Sequence, residues 1–290
     1  MKIGFIGLGV MGRPMAGHLI AAGHEVFLNR VKAVSQYLVE AGGKALDTAR
    51  AVTEVADVII LMLPDTPDVE AVLFCADGVA EALSASKLVI DMSSISPVAT
   101  KEFATRIAEK GAGYVDAPVS GGEVGANAAS LTIMVGASVA DFERAKPLLE
   151  KLGSNITHVG NVGAGQTTKV ANQVIVGLTI EAVAEGLALA QAAGADPVKV
   201  REALMGGFAS SRILEVHGER MIKGTFDPGF RIRLHRKDVG LALDAAKTLQ
   251  LELPHLASLE RSMDKALAGG LGDKDHSALF KLLQPLSDCL

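Results

Sequence analysis

Residues 2–12 read Lys2-Ile3-Gly4-Phe5-Ile6-Gly7-Leu8-Gly9-Val10-Met11-Gly12. A short apolar run ends in glycine, and three glycines then recur as G-x-G-x-x-G. The run predicts a buried strand over residues 2–6. Helical periodicity follows as far as Ala21-Ala22, where Gly23 stops it, and residues 25–28 predict a second strand. Alone, the glycine pattern marks any tight strand-to-helix turn, and a chain with 31 glycines can produce it by chance. Between a strand and a helix, inside a βαβ unit, it predicts more. Its backbone N–H groups would meet the pyrophosphate of a dinucleotide at the helix N-terminus. Gly7, Leu8, Gly9, Val10, Met11 and Gly12 are therefore candidate cofactor-binding residues.

The alternation continues outward from this unit. Residues 33–41 read as a helix closed by Gly42-Gly43. Residues 58–63 read as a buried strand stopped by Pro64, and residues 88–90 as another, with a helix over 98–110. Residues 113–115, 131–135 and 156–159 complete the strands. Strands alternating with helices predict an α/β domain with a parallel, doubly wound Rossmann-type sheet over residues 1–162. Past Gly165 the pattern changes. One helical periodicity runs from 166 to 193, roughly 40 Å at 1.5 Å per residue. Asp196-Pro197 then opens a helix that Gly206-Gly207 ends. Residues 210–222, 234–249, 255–268 and 277–286 read as further helices. Residues 163–290 thus form an all-α second domain, with the long helix as bridge.

Composition bounds the function. The chain has 290 residues, 28 Lys+Arg against 33 Asp+Glu, 49% hydrophobic and 21% charged residues, and no Trp. That describes an ordinary globular protein, and a net charge of −5 without a basic stripe or aromatic stacking set argues against nucleic acid. Cys75 and Cys289 form neither a disulfide framework nor a metal-ligand spacing, so no metal site is expected. The N-terminal apolar run carries three close glycines and is interrupted by Arg13, unlike a signal peptide. The apolar stretch after residue 170 contains Gln173 and Glu181, which reads as a buried helix rather than a membrane span. A cytoplasmic protein with no membrane partner is the expectation.

Strand ends supply the remaining candidates. At the end of the second strand stand Asn29-Arg30, where an acid would bind the ribose hydroxyl of NAD. Arg30 can instead pair with a 2′-phosphate, so NADP(H) is preferred and NAD(H) stays possible; the plainer reading is a solvated arginine. Leu63-Pro64 and Ser94 leave two further strand ends on the same side of the sheet, where ligands of such sheets collect. Lys169 follows the turn Gly163-Ala164-Gly165 in the opening of the long helix. The positive helix end there disfavours its charged form, and a cleft between domains would act in the same direction, which suits a general acid. Asn172 and Gln173 lie three and four residues on, on one helix face, and either amide could orient a substrate. Ser120-Gly121-Gly122 offers a hydroxyl and uncluttered N–H groups suited to a carboxylate.

Three ordered motifs carry a resemblance over nearly the whole chain. They are the N-terminal glycines, Asp116-Ala117-Pro118-Val119-Ser120-Gly121-Gly122, and Gly163-Ala164-Gly165-Gln166-Thr167-Thr168-Lys169-Val170-Ala171-Asn172-Gln173. Together they resemble the β-hydroxyacid dehydrogenase family, which includes 3-hydroxyisobutyrate dehydrogenases and tartronate semialdehyde reductases. Asp91-Met92-Ser93-Ser94-Ile95-Ser96-Pro97, residues 205–223 and Asp275-His276-Ser277-Ala278-Leu279 look like the semialdehyde reductase branch in particular. The family commonly has Asn at the fourth position after the lysine. Here Gln173 stands there with Asn172 before it, which leaves open which amide touches substrate. The resemblance implies an NAD(P)-dependent oxidoreductase reducing tartronate semialdehyde to D-glycerate, with a sibling semialdehyde or hydroxyacid as alternative. It implies Lys169 as the acid, Ser120–Gly122 as substrate-binding, and Lys237 reaching the cofactor or substrate. It also implies a homo-oligomer, dimer or tetramer. His235 reads as structural, and Arg212 and His217 receive no role. A non-catalytic dinucleotide-binding module is the reading from another class, and the presence of Lys169 weighs against it.

Overall fold

The computed structural model describes residues 1–283, so the end of the helix expected over 277–286, and Cys289, lie outside the described residues. The chain divides into two compact units, Met1–Lys169 and Val170–Leu290.

The first unit is built on a nine-stranded sheet. Its first half comprises β1 (Lys2–Ile6), α1 (Gly12–Ala21), β2 (Glu25–Asn29), α2 (Tyr37–Glu40), β3 (Lys44–Leu46), α3 (Ala49–Val55), β4 (Val58–Leu61), α4 (Thr66–Phe74), β5 (Leu88–Asp91) and α5 (Pro97–Ala108). Then come β6 (Gly113–Asp116), β7 (Val119–Ser120), α6 (Gly122–Asn127), β8 (Leu131–Gly136), α7 (Val139–Leu149) and β9 (Gly153–Gly160). Strands β3-β2-β1-β4-β5-β6 are parallel neighbours in that order. The order reverses at β1, the arrangement of a doubly wound dinucleotide fold. The strands are continuous apolar runs because both sheet faces are covered. Ile3, Phe5, Val58, Ile60, Leu88 and Ile90 enter one core. The alternating Ile6, Ile59, Leu61 and Val89 enter the other.

The parallel run stops at β6. Asp116 pairs antiparallel with Gly136 of β8, the Met134 N–H donates to the Pro118 carbonyl, and Val119 and Ser120 of β7 pair with Ile133 and Thr132. β6 and β7 are thus one extended stretch in a single register, and Pro118 interrupts it because it has no N–H to give. The expected helix over 33–41 is instead a 3₁₀ turn at Ala33–Ser35 followed by the single turn of α2. Valine and serine at its start are weak helix formers.

The second unit is helical. α8 (Ala164–Ala192) crosses from the first unit into it, followed by α9 (Pro197–Met205), α10 (Arg212–Lys223), α11 (Ile232–Thr248) and α12 (Pro254–Ala268). A 3₁₀ segment, His276–Leu282, replaces the described part of the last expected helix. Leu256, Leu259, Met263 and Ala266 of α12 recur at helical spacing and pack with Ile180, Ala184 and Leu187 of α8, and with Val239 and Ala242 of α11. Asp196 caps α9 by accepting from the Val198 N–H, with Pro197 in the first turn.

α8 corrects one expectation. It is long and apolar enough to cross a membrane, with a mean hydropathy of 1.6, yet only 28% of that apolar window is buried. Ile175 and Leu189 are exposed, so α8 is not the fully buried helix its composition suggested. Among its buried residues are the polar Gln166, Lys169 and Gln173.

Candidate active site

Five strands of the sheet end in one row. Ile6 pairs with both Asn29 and Leu61, Leu61 with Asp91, and Asp91 with Asp116. The segments that leave this row are Gly7–Gly12, Arg30, Leu63-Pro64, Ser94 and the stretch leading to Ser120. Register alone therefore brings these predicted residues to the carboxyl edge, beside the reversal of strand order at β1.

The glycine loop divides its work three ways. Gly7 has φ of +107°, and a Cβ there would overlap the Met62 carbonyl. A Cβ on Gly12 would overlap the Gly7 carbonyl and touch the Phe5 ring, so this glycine sets the close packing of α1 on β1. Gly9 is different: nothing lies within 4 Å of where its Cβ would be. Protein atoms do not demand that glycine, and its open space lets a ligand reach the backbone. α1 also has no side-chain cap and no acid in its first turn. By contrast Thr48, Asp65, Ser96 and Ser138 cap α3, α4, α5 and α7. Arg13 already donates its N–H to the Gly9 carbonyl and Pro14 has none, so it is the N–H groups of the loop as far as Gly12 that fit the pyrophosphate of a dinucleotide. Val10 is exposed, and Leu8 and Met11 are half-buried.

At the end of β2, Asn29 is buried and its Nδ2 donates to the Leu46 and Asp47 carbonyls. That nitrogen is spent joining β2 to β3, so Asn29 shapes the floor of the loop. Arg30 is exposed and holds φ of 57°, a left-handed conformation that costs a non-glycine residue roughly 1–2 kcal/mol.

A buried polar scaffold, without an assigned role in the sequence reading, holds the start of α8. Asp116 accepts from the Gly163 N–H at 2.7 Å and from the Gln166 N–H at 2.8 Å. The strand-end carboxylate thus caps α8 across 47 and 50 residues of sequence. Gln166, fully buried, donates from Nε2 to the Ser93 carbonyl and accepts at Oε1 from the Ile95 N–H. The Ser93 hydroxyl in turn accepts from the Leu63 N–H, and Asp91 accepts from the Ser93 N–H and the Tyr114 hydroxyl. Loops after β4, β5 and β6 are so tied to the helix that carries Lys169. A Cβ on Gly165 would overlap the Met134 and Asp116 carbonyls, which explains the glycine in this turn. Lys169 sits in the second turn of α8, 8% exposed. Ser120 is half-buried, roughly 13 Å beyond Asp116 along the same extended stretch at ~3.3 Å per residue. Gly121 follows with φ of +133° and Gly122 with +60°.

Burial pushes the carboxyl groups of Asp91 and Asp116 up to about 6, against the hydrogen bonds that pull each down. For Asp91 the folded value exceeds the ordinary 3.8, so the folded state binds more protons between about 4 and 6. Its contribution to stability is present below pH 4 and lost as pH rises through 6. Asp91→Asn is therefore expected to gain on wild type by the order of 2–3 kcal/mol between pH 4 and 7.5. Urea unfolding at both ends of that range reads this out. A difference independent of pH would contradict it.

In the second unit, Asn172 Nδ2 donates to Gln173 Oε1 at 2.8 Å, and Gln173 Nε2 donates to Asp238 Oδ2 at 2.6 Å. Lys237 Nζ pairs with Asp238 Oδ1 at 2.9 Å. Both ends of the Gln173 amide are thus engaged within the protein, and Asn172 is the half-buried partner. Lys237-Asp238 lies in the second turn of α11.

Comparison with known proteins agrees with this architecture. A family profile for the NAD binding domain of 6-phosphogluconate dehydrogenase matches residues 2–160. A second, for the NAD-binding region of NADP-dependent 3-hydroxyisobutyrate dehydrogenase, matches residues 163–283. The 2-hydroxy-3-oxopropionate reductase of Escherichia coli (strain K12) is 56% identical, covering 99% of each chain. A 3-hydroxyisobutyrate dehydrogenase of Pseudomonas aeruginosa is 37% identical over 98% of this chain and 97% of its own. The solved structure of Mycobacterium tuberculosis 3-hydroxyisobutyrate dehydrogenase with L-serine matches with a TM-score of 0.89 at 32% identity, covering 98% and 99%.

Proposed function

The chain belongs to the β-hydroxyacid dehydrogenase family of NAD(P)-dependent oxidoreductases, and from that premise we propose that it reduces tartronate semialdehyde (2-hydroxy-3-oxopropanoate) to D-glycerate, with NADPH preferred. The observation that carries the substrate is the 56% identity to a 2-hydroxy-3-oxopropionate reductase along essentially the full length of both chains.

The uncapped start of α1 and the open space at Gly9 hold the pyrophosphate, Arg30 meets the 2′-phosphate, and Leu63, Pro64 and Ser94 line the same edge. A reduced nicotinamide bound there supplies a hydride to the aldehyde carbon. Lys169 holds a proton at Nζ and delivers it to the carbonyl oxygen as negative charge develops there. Ser120, with the N–H groups of Gly121 and Gly122, holds the substrate carboxylate. Asn172 orients the hydroxyl and Gln173 holds Asn172, because the Gln173 amide is already engaged at both ends. Lys237 serves the cofactor, its charge balanced by Asp238. No metal is required in this scheme.

We also propose a cytoplasmic location and a homo-oligomer, dimer or tetramer. Exposed Ile175 and Leu189 on α8, and α9, which buries none of its residues, support self-association.

The test is a panel of short aldehydes and hydroxyacids run with both cofactors. Tartronate semialdehyde with NADPH should give the highest kcat/KM, and Arg30→Glu should lower the NADPH-to-NADH ratio about 10- to 100-fold. A clear NADH preference in wild type would overturn the cofactor assignment. Highest turnover of 3-hydroxyisobutyrate, glyoxylate or succinic semialdehyde would move the protein to a sibling activity.

A further inference from the structure

Three histidines of the second unit line up between a carboxylate and a backbone carbonyl. His217 Nδ1 lies 3.3 Å from Asp275 Oδ1, an ion-pair contact rather than an aligned hydrogen bond. His217 Nε2 is 3.3 Å from His276 Nε2, and His276 Nδ1 is 2.9 Å from His235 Nδ1. His235 Nε2 is 3.1 Å from the Gln173 carbonyl oxygen. His235 is fully buried, and His276 is 4% exposed.

The Gln173 end fixes the direction of the chain. A carbonyl only accepts, so His235 must carry its proton on Nε2. Its Nδ1 is then bare, so His276 must donate from Nδ1. His276 Nε2 is bare in turn, so His217 donates from Nε2. Every ring gives its proton toward Gln173, and His217 Nδ1 faces Asp275 at the other end of the chain. Burial beside the other two rings and Arg220 pushes His276 well below the ordinary imidazole range, in keeping with a neutral ring in mid-chain.

A cation site is the other use of such a cluster, since one ligand atom each from His217, Asp275 and His276 lie within 4.8 Å of one another. The carboxylate argues against it. Asp275 Oδ1 accepts from the Ser277 N–H and hydroxyl, and Oδ2 from the Gly229 and Phe230 N–H groups. Arg220 Nη1 adds an ion pair at 3.3 Å. Little lone-pair capacity is left for a metal, and the Arg220 guanidinium already supplies positive charge there.

A glycine makes room for the last contact. Gly177, one turn along α8 from Gln173, has the end of the Leu259 side chain 2.5 Å and the His235 ring 3.2 Å from where a Cβ would be, so a methyl group there presses on both. Gln173 is thereby held twice, at its carbonyl by His235 and at its amide by Asp238.

We propose that His235, backed by His276 and His217, is a positioning residue for the reaction: this directed imidazole chain holds the Gln173 turn of α8 so that Asn172 meets substrate in one orientation. The inference rests on the substrate role of Asn172 above. In ¹⁵N-histidine-labelled protein at pH 8, where a solvated imidazole of pKa about 6.5 is neutral, His235 should be the Nε2–H tautomer and His276 the Nδ1–H tautomer. The opposite tautomer on either ring, or stoichiometric zinc binding that removes these signals, would overturn the chain. His235→Phe and Gly177→Ala should each lower kcat/KM for the aldehyde about 10- to 100-fold, with KM for NADPH unchanged. His235→Gln, which can present a donor to Gln173 and an acceptor to His276, should recover most of that loss. Gly177→Ala guards against a fold that fails in His235→Phe. Unchanged kcat/KM in Gly177→Ala, with the ring displaced by the tautomer spectra, would overturn the positioning role. A wild-type enzyme inactive on every aldehyde would sink the functional reading instead, and the spectra would still decide the chain.

Discussion

Lys169→Ala is expected to lose about 10²–10⁴-fold in kcat, the usual range for removing a positioned general acid, while keeping its fold and its affinity for NADPH. The aldehyde oxygen must gain a proton as hydride reaches the carbon. Lys169 is a buried proton-bearing side chain, and the start of its helix is fixed to the sheet by Asp116 and Gln166. Lys169→Arg separates two explanations. Arginine keeps the positive charge but does not release a proton in proteins, so it should remain near the alanine level if proton delivery is the role. Substantial activity in the arginine variant would indicate electrostatic stabilisation alone. Near-normal turnover in the alanine variant would refute the assignment. Steady-state rates, paired with NADPH titration and thermal unfolding of each variant, distinguish these outcomes.

Asp116→Ala is expected to lower kcat about 10- to 100-fold and to destabilise the protein by the order of 1–3 kcal/mol. Truncation leaves the Gly163 and Gln166 N–H groups buried without their acceptor, at about 1–3 kcal/mol each. Relief from burying a charge offsets part of that cost, since the carboxyl is already pushed up to about 6. The kinetic loss follows from the loosened first turn of α8, because a displacement near 1 Å at a reacting group costs about 100-fold. Asp116→Asn keeps one acceptor and turns an amide N–H₂ toward the second donor, so it should fall between wild type and alanine. Urea unfolding at pH 7.5 and kcat on tartronate semialdehyde measure both effects. Full activity in Asp116→Ala would mean that the cap does not position Lys169.

What was legible in the sequence is what local chemistry encodes. The loop from Gly7 to Gly12 announces itself because a strand, a tight turn and a helix start each leave a mark within a few residues. Its three glycines then prove to have separate reasons, two of them set by neighbouring carbonyls and one by open space. The helices of the second unit were legible for the same reason: Asp196-Pro197 and Gly206-Gly207 punctuate α9 directly. The short pieces at residues 33–40 were not, because propensity there is too even to separate a helix from two turns.

The sequence by itself determined seven of the nine strands, the long helices of the second unit, and the candidacy of the glycine loop and of Lys169, since periodicity and turn residues act over spans of one element; the short β3 and β7 and the helices α3, α4, α6 and α7 were not read from it. Tertiary structure alone decided the rest. Asp116 became the cap of α8, Gln166 the tie to Ser93 and Ile95, and Asn29 a link between β2 and β3. It also decided that Gln173 is engaged inside the protein, and that three distant histidines form one chain. These hydrogen bonds join residues 17 to 73 positions apart. A polar group carries no mark in the sequence of which distant partner will satisfy it; only the folded register, which brings strand ends and helix starts together, makes that choice.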